Sequence, residues 1–80
     1  SMNRVAPDGA ILVFDYTDTT LIDRKLYLFR IDGEITFKRF RCTDGPNRLE
    51  PDSTLPDYKT IYPTGPVEVI GRVVYIVQSV

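Results

Sequence analysis

Hydrophobic positions in this chain fall in short runs separated by turn-forming residues, the punctuation of an all-β protein. Four runs rich in β-branched and aromatic residues predict strands over 10–14, 26–31, 34–42 and 67–77. Asp-Gly pairs at Asp8-Gly9, Asp32-Gly33 and Asp44-Gly45 mark turns, and no stretch carries helical periodicity with caps. The clearest element is a hairpin, in which 26–31 and 34–40 flank Asp32-Gly33, a pair that tolerates the positive φ angles of a type I′ turn. Alternation then sets Ile35 and Phe37 on one face and Thr36, Lys38 and Phe40 on the other, giving Lys38 an aromatic neighbour on its own side. The segment 46–66, rich in Pro, Asp, Ser and Thr, reads as an irregular connection. Its candidate short strands are 48–50 and 59–62, with Tyr58 and Tyr62 packing it. The last run is long for one strand, and Gly71 is expected to mark a bend or bulge within it.

Eighty residues make one small domain spanning 1–80, near the lower limit for a self-sufficient core, so a partner subunit or a further segment is expected. A net charge of −1 gives no general attraction to nucleic acid or anionic membrane. No apolar run approaches bilayer length and no signal-peptide pattern opens the chain. Cys42 is the single cysteine and histidine is absent, which excludes an internal disulfide and a zinc constellation. The free thiol suits a reducing cytoplasm, and Cys42 reads as a small core residue. No metal or cofactor is expected: Asp15, Asp18 and Asp23 lack the EF-hand spacing and its acidic anchor. The basic cluster Lys38, Arg39 and Arg41 is split across two faces by alternation and reads as a solvated strand edge.

Without histidine, serine hydrolysis needs another base, and a lysine held neutral in an apolar setting is the recognised substitute. Ser1 and Lys38 form the candidate pair. Taken singly they are ordinary, since a strand lysine is usually a snorkelling surface residue. Their surroundings carry the argument. Ser1-Met2-Asn3-Arg4-Val5-Ala6-Pro7-Asp8-Gly9, followed by an apolar strand, resembles the Ser-Met…Pro-Asp-Gly segment of LexA-like self-cleaving serine peptidases. That family includes the LexA repressor, phage cI-type repressors and the UmuD mutagenesis protein. Ile35-Thr36-Phe37-Lys38-Arg39-Phe40 resembles the strand that carries the family's catalytic lysine. Leu49-Glu50-Pro51-Asp52-Ser53-Thr54-Leu55-Pro56-Asp57-Tyr58 is similar to its Leu…Ser-x-Asn-Pro-x-Tyr segment, and Val69-Ile70-Gly71-Arg72-Val73-Val74 to its closing strand. The chain departs from the pattern at Leu55, where asparagine is common, and at Ala10, where aspartate is common.

The resemblance implies a mainly β, LexA/signal-peptidase-like fold truncated at its N-terminal side. It implies a Ser-Lys peptidase domain from the C-terminal part of a longer transcriptional regulator. Ser1 would be the nucleophile and Lys38, kept neutral by burial, the general base, with activity rising with pH. Backbone amides at Ser1 and Met2 would contribute to the oxyanion hole. The substrate would be the protein's own upstream linker, cut at a small-residue-Gly bond. The implied partners are a second copy through the C-terminal strand, DNA only through an upstream domain, and an inducing co-protease of the SOS type, all in the cytoplasm and away from membranes. A second class is a catalytically inert dimerisation or binding module of the same fold, with a UmuD-like polymerase accessory as a variant. An N-terminal-nucleophile hydrolase is a formal alternative. A type I signal peptidase core is disfavoured, because Arg41-Cys42-Thr43-Asp44-Gly45 stands where those enzymes carry a Pro-Gly-Asp signature.

Overall fold

The computed structural model describes residues 1–6, 9–52 and 59–78. Its strands are β1 (Met2–Val5), β2 (Ala10–Asp15), β3 (Leu26–Ile31), β4 (Glu34–Arg41), β5 (Arg48–Glu50) and β6 (Glu68–Gln78). They form one sheet in the order β1-β2-β6-β3-β4-β5, with every pairing antiparallel. Among the described residues no helix is long and apolar enough to cross a membrane.

The β3–β4 hairpin forms as its turn chemistry dictates. Asp32 and Gly33 both take positive φ, 51° and 80°, the pair of left-handed conformations that a type I′ turn needs. Register then runs from Ile31↔Glu34 back to Leu26↔Arg39 without interruption. In the long connection, 48–50 becomes β5, whereas 59–62 supplies only an isolated bridge. There Leu49 N donates to Ile61 O at 2.9 Å and Ile61 N to Leu49 O at 2.8 Å. Tyr62, expected to pack this connection, is exposed instead. Tyr58 and the 53–58 part of the quoted motif lie outside the described residues, as do Pro7 and Asp8.

β1 is a strand that the apolar pattern does not predict. Its residues pair with β2 from Met2↔Asp15 to Val5↔Leu12, so its conformation comes from docking on a neighbour. β6 lies at the centre, pairing with β2 through 72–78 and with β3 through 68–72. Two register shifts interrupt those ladders, between Val13 and Phe14 and between Leu28 and Phe29. On β6 they leave Val74 and Ile70 as extra residues, so bulges flank Gly71 on both sides.

Gly71 also answers a closer constraint. A Cβ there would lie 2.9 Å from the Asp15 carbonyl carbon and 2.9 Å from Tyr16 Cα, and closer still to Asp15 O. The end of β2 therefore crosses directly against β6, and only a residue without a side chain admits the crossing.

The sheet is apolar on both faces. Leu12, Phe14, Leu26, Leu28 and Phe37 form one cluster, with Val5, Ile70, Val73 and Ile76 packed beside it. Tyr27, Phe29, Phe40 and Leu49 form the other, with Leu21, Ile31, Ile61, Val67 and Val69 alongside. Phe37 and Phe40 fall in different clusters, as the alternation in β4 requires. β4 ends at Arg41, and Cys42 beyond it is exposed, a correction to its reading as a core residue.

Replacing Gly71 by alanine forces a methyl group onto backbone that has nowhere to yield. The expected cost is about 2 kcal/mol, read as a lower urea midpoint at unchanged slope. An unchanged midpoint would show that the backbone at the crossing yields to a methyl group.

Candidate functional site

Lys38 is 1% exposed, one of the few polar side chains enclosed by this sheet. Alternation along β4 puts Thr36 and Phe40 on its face, and the register of the hairpin sets Tyr27 directly opposite on β3. Tyr27 is itself 0% exposed and belongs to the cluster with Phe29, Phe40 and Leu49. Tyr27 and Phe40 thus flank the lysine on one side, and on the other it borders a cleft lined by Ile31, Asp32, Glu34, Thr36, Lys59 and Ile61.

Directly paired residues share a face, and the pairings link into one row across the sheet. Lys38 faces Tyr27, Tyr27 faces Arg72, Arg72 faces Asp15, and Asp15 faces Met2. Ser1 stands just before β1, at the far end of that row. Its ammonium lies 3.1 Å from Asp15 Oδ1, and its carbonyl accepts from Tyr16 N at 3.1 Å. Met2 is exposed. β2, β6 and β3 stand between β1 and β4, so the sheet does not set Ser1 and Lys38 side by side.

Residues between β2 and β3 form a strap over this row. Arg72 N donates to Asp18 O at 3.0 Å, and Arg72 Nε lies 2.9 Å from Asp18 Oδ2. That guanidinium nitrogen is sealed from solvent, and the contact is an ion pair whose angle falls short of a hydrogen bond. Further along, Tyr27 Oη donates to Thr20 O at 2.8 Å and accepts from Ile22 N at 2.9 Å. The strap ends where Arg24, at φ 73°, donates its N–H to Phe40 O at 2.7 Å.

Asp15 at the end of β2 and the strap aspartates Asp18 and Asp23 each have a structural task. Asp15 accepts from Thr17 Oγ1 at 2.6 Å and Thr17 N at 3.0 Å. Those bonds, then the nearby Ser1 ammonium, hold its carboxyl down at about 2 instead of the ordinary 3.8. Asp18 serves Arg72. Asp23 accepts from Cys42 N at 2.8 Å, Thr43 Oγ1 at 2.9 Å and Arg41 Nε at 3.2 Å. The Cys42 amide first, then Thr43 and Arg41, hold the Asp23 carboxyl below its usual range. Among the described residues no group of His, Cys, Asp or Glu is placed to hold a metal ion.

The basic cluster divides as alternation requires, but its members are engaged instead of simply solvated. Lys38 is enclosed, Arg39 Nη1 donates to Arg24 O at 2.8 Å, and Arg41 lies between Asp23 and Glu50. Sequence reasoning passed over Tyr27 and Arg72, and weighed Asp18 only as a cation ligand. A signal for Tyr27 was present: a two-residue turn at Asp32-Gly33 pairs Ile31 with Glu34, and counting back four more pairs reaches Tyr27 opposite Lys38.

A family model described as Peptidase S24-like matches residues 1–74. No curated protein and no solved structure matches the chain.

The Asp15 carboxyl carries the pH dependence that this site generates. Its folded value is depressed, so its stabilising contribution is complete above 3.8 and is lost as pH falls toward about 2. An NMR titration of the side-chain carboxyl should give a midpoint near 2, and Thr17→Ala should move it up toward 3.8. A wild-type midpoint already at 3.8 would show that Thr17 does not grip the carboxylate in solution.

Proposed function

The chain belongs to the Peptidase S24-like family, and from that membership we propose that it is the Ser-Lys peptidase domain of a LexA-like or phage-repressor-like transcriptional regulator, which cuts a linker upstream of itself. The observation that carries the reading is the enclosure of Lys38, 1% exposed while Lys25 and Lys59, both outside the strands, are exposed. A general base has to be held in place within reach of the hydroxyl it deprotonates, and an enclosed lysine beside Tyr27 and Phe40 is held in place.

In the reaction, Ser1 Oγ attacks the carbonyl carbon of a peptide bond while Lys38 Nζ takes the hydroxyl proton. Backbone N–H groups near Ser1 and Met2 stabilise the tetrahedral oxyanion. Collapse breaks the C–N bond, the lysine returns the proton to the leaving amine, and water attacking the acyl-serine ester completes hydrolysis. Chemistry needs Ser1 Oγ within hydrogen-bond reach of Lys38 Nζ. With three strands between β1 and β4, the reading therefore requires a second placement of the Ser1 segment. β1 is the element best suited to move, because it is an edge strand that among the described residues pairs with β2 alone.

That same separation favours a second reading, an inert assembly module of the family fold. Past Arg72, β6 pairs with β2 alone among the described residues, and its other edge borders a cleft lined by Leu26, Arg39, Asp52 and Val73 to Ile76. Tyr75 and Val77 are exposed on that strand. A second copy adding its own strand there would extend the sheet across a two-fold axis.

Two measurements separate the readings. In a chain extended upstream of Ser1, mass spectrometry should find one cut whose rate grows from neutral to alkaline pH. Ser1→Ala or Lys38→Met should each slow it by about a thousandfold or more, the methionine keeping an unbranched chain in the same apolar space. No cut at any pH sinks the peptidase reading. For assembly, sedimentation should show a dimer that Tyr75→Arg weakens roughly tenfold or more. A monomer at all concentrations removes the assembly module.

A further inference from the structure

Tyr27 links the strap to the lysine. It faces Lys38 across the β3–β4 ladder and is wholly enclosed. A buried phenol must find hydrogen-bond partners, and Tyr27 finds both of its own in the strap and none in the sheet. Its hydroxyl donates to Thr20 O and accepts from Ile22 N, the residues on either side of Leu21. Leu21 is thereby seated on the cluster of Tyr27, Phe29, Phe40 and Leu49, on the face that Lys38 occupies. The other strap attachments, Asp18 on Arg72 before it and Asp23 on Cys42 and Thr43 and Arg24 on Phe40 after it, lie to either side and leave the Thr20–Ile22 span to Tyr27.

We propose that Tyr27 is a positioning residue for Lys38: its hydroxyl clamps the Thr20–Ile22 span onto the sheet so that Leu21 closes the Tyr27–Phe40 side of the lysine to water. The clamp acts through the strap and touches no substrate. Its value for catalysis rests on the reading of Lys38 as general base, whereas the shielding itself exists whether or not the chain cuts itself.

The chain has three lysines, and Lys25 and Lys59 are exposed, so each supplies an internal standard for Lys38. The test measures acetylation of each lysine by a small amine-reactive ester, resolved by mass spectrometry, in the wild type and in Tyr27→Phe. Loss of the two hydroxyl bonds should raise Lys38 labelling roughly tenfold through local opening of the strap. Lys25 and Lys59 rates should hold, as should hydrogen exchange of the β2–β6 amides. Leu21→Ala removes the cover without touching Tyr27 and should raise Lys38 labelling in the same way, which decides the matter if Tyr27→Phe fails to fold. Unchanged Lys38 labelling overturns the proposal, and so does a rise matched by general loss of exchange protection, which would make Tyr27 a stabiliser of the whole sheet. If the extended wild-type chain never cuts itself, the peptidase reading falls while the labelling still decides the role of Tyr27.

Discussion

The absence of a side chain at position 71 governs the face of the sheet that carries the candidate site. Because Gly71 lets the Asp15–Tyr16 backbone pass in contact with β6, the chain leaving β2 turns over the sheet instead of away from it. Arg72, the next residue, is then placed to hold Asp18, and Tyr27, the next in the row, to hold Thr20 and Ile22. The first attachment sets a carboxylate against a buried guanidinium nitrogen as an ion pair, and the second gives a buried phenol both of its hydrogen bonds. The crossing, the row and the strap are thus one arrangement.

A small sheet with apolar groups on both faces has to cover both. The bulges at Ile70 and Val74 add local twist and shift the alternation, so that Ile70, Val73 and Ile76, three residues apart, all serve one cluster. The second face has covering from loops: Leu21 from the strap, Ile61 and Val67 from the connection before β6. Lys38 lies under that covering, on a face where its neighbours contribute apolar burial that a charged group does not.

Much of this was readable from the residues, and the failures have physical reasons. The hairpin was legible because Asp32-Gly33 is a local signal, and a local signal also fixes register. β1 was not, since Met2–Val5 has no strong alternation and takes its form from the edge of β2. The strap has no periodicity at all. Its course depends on where Asp18 and Tyr27 find partners far along the chain. Cys42 was misread because burial was inferred from residue type, while β4 ends one residue earlier and Asp23 draws the Cys42 amide outward. Chemistry showed the same limit. Residue types pointed to Ser1 and Lys38, but their distance across the sheet depends on strand order, and strand order is set by where β6 inserts.

That insertion has a kinetic consequence. The strand furthest along the sequence is the one that joins the two halves, β1–β2 on one side and β3–β4–β5 on the other. Neither half reaches the other without it, so a locally formed hairpin must wait for contacts of high sequence separation before the whole becomes cooperative. Loop-closure entropy is spent before those contacts are made, and folding should belong to the slow, high-contact-order class, in the range of about milliseconds to seconds. Until β6 arrives, the inner edges of β2 and β3 are both open, and a β6 strand from another copy fits them as well as the chain's own. Strand exchange between copies is therefore the characteristic misfolding route of this topology.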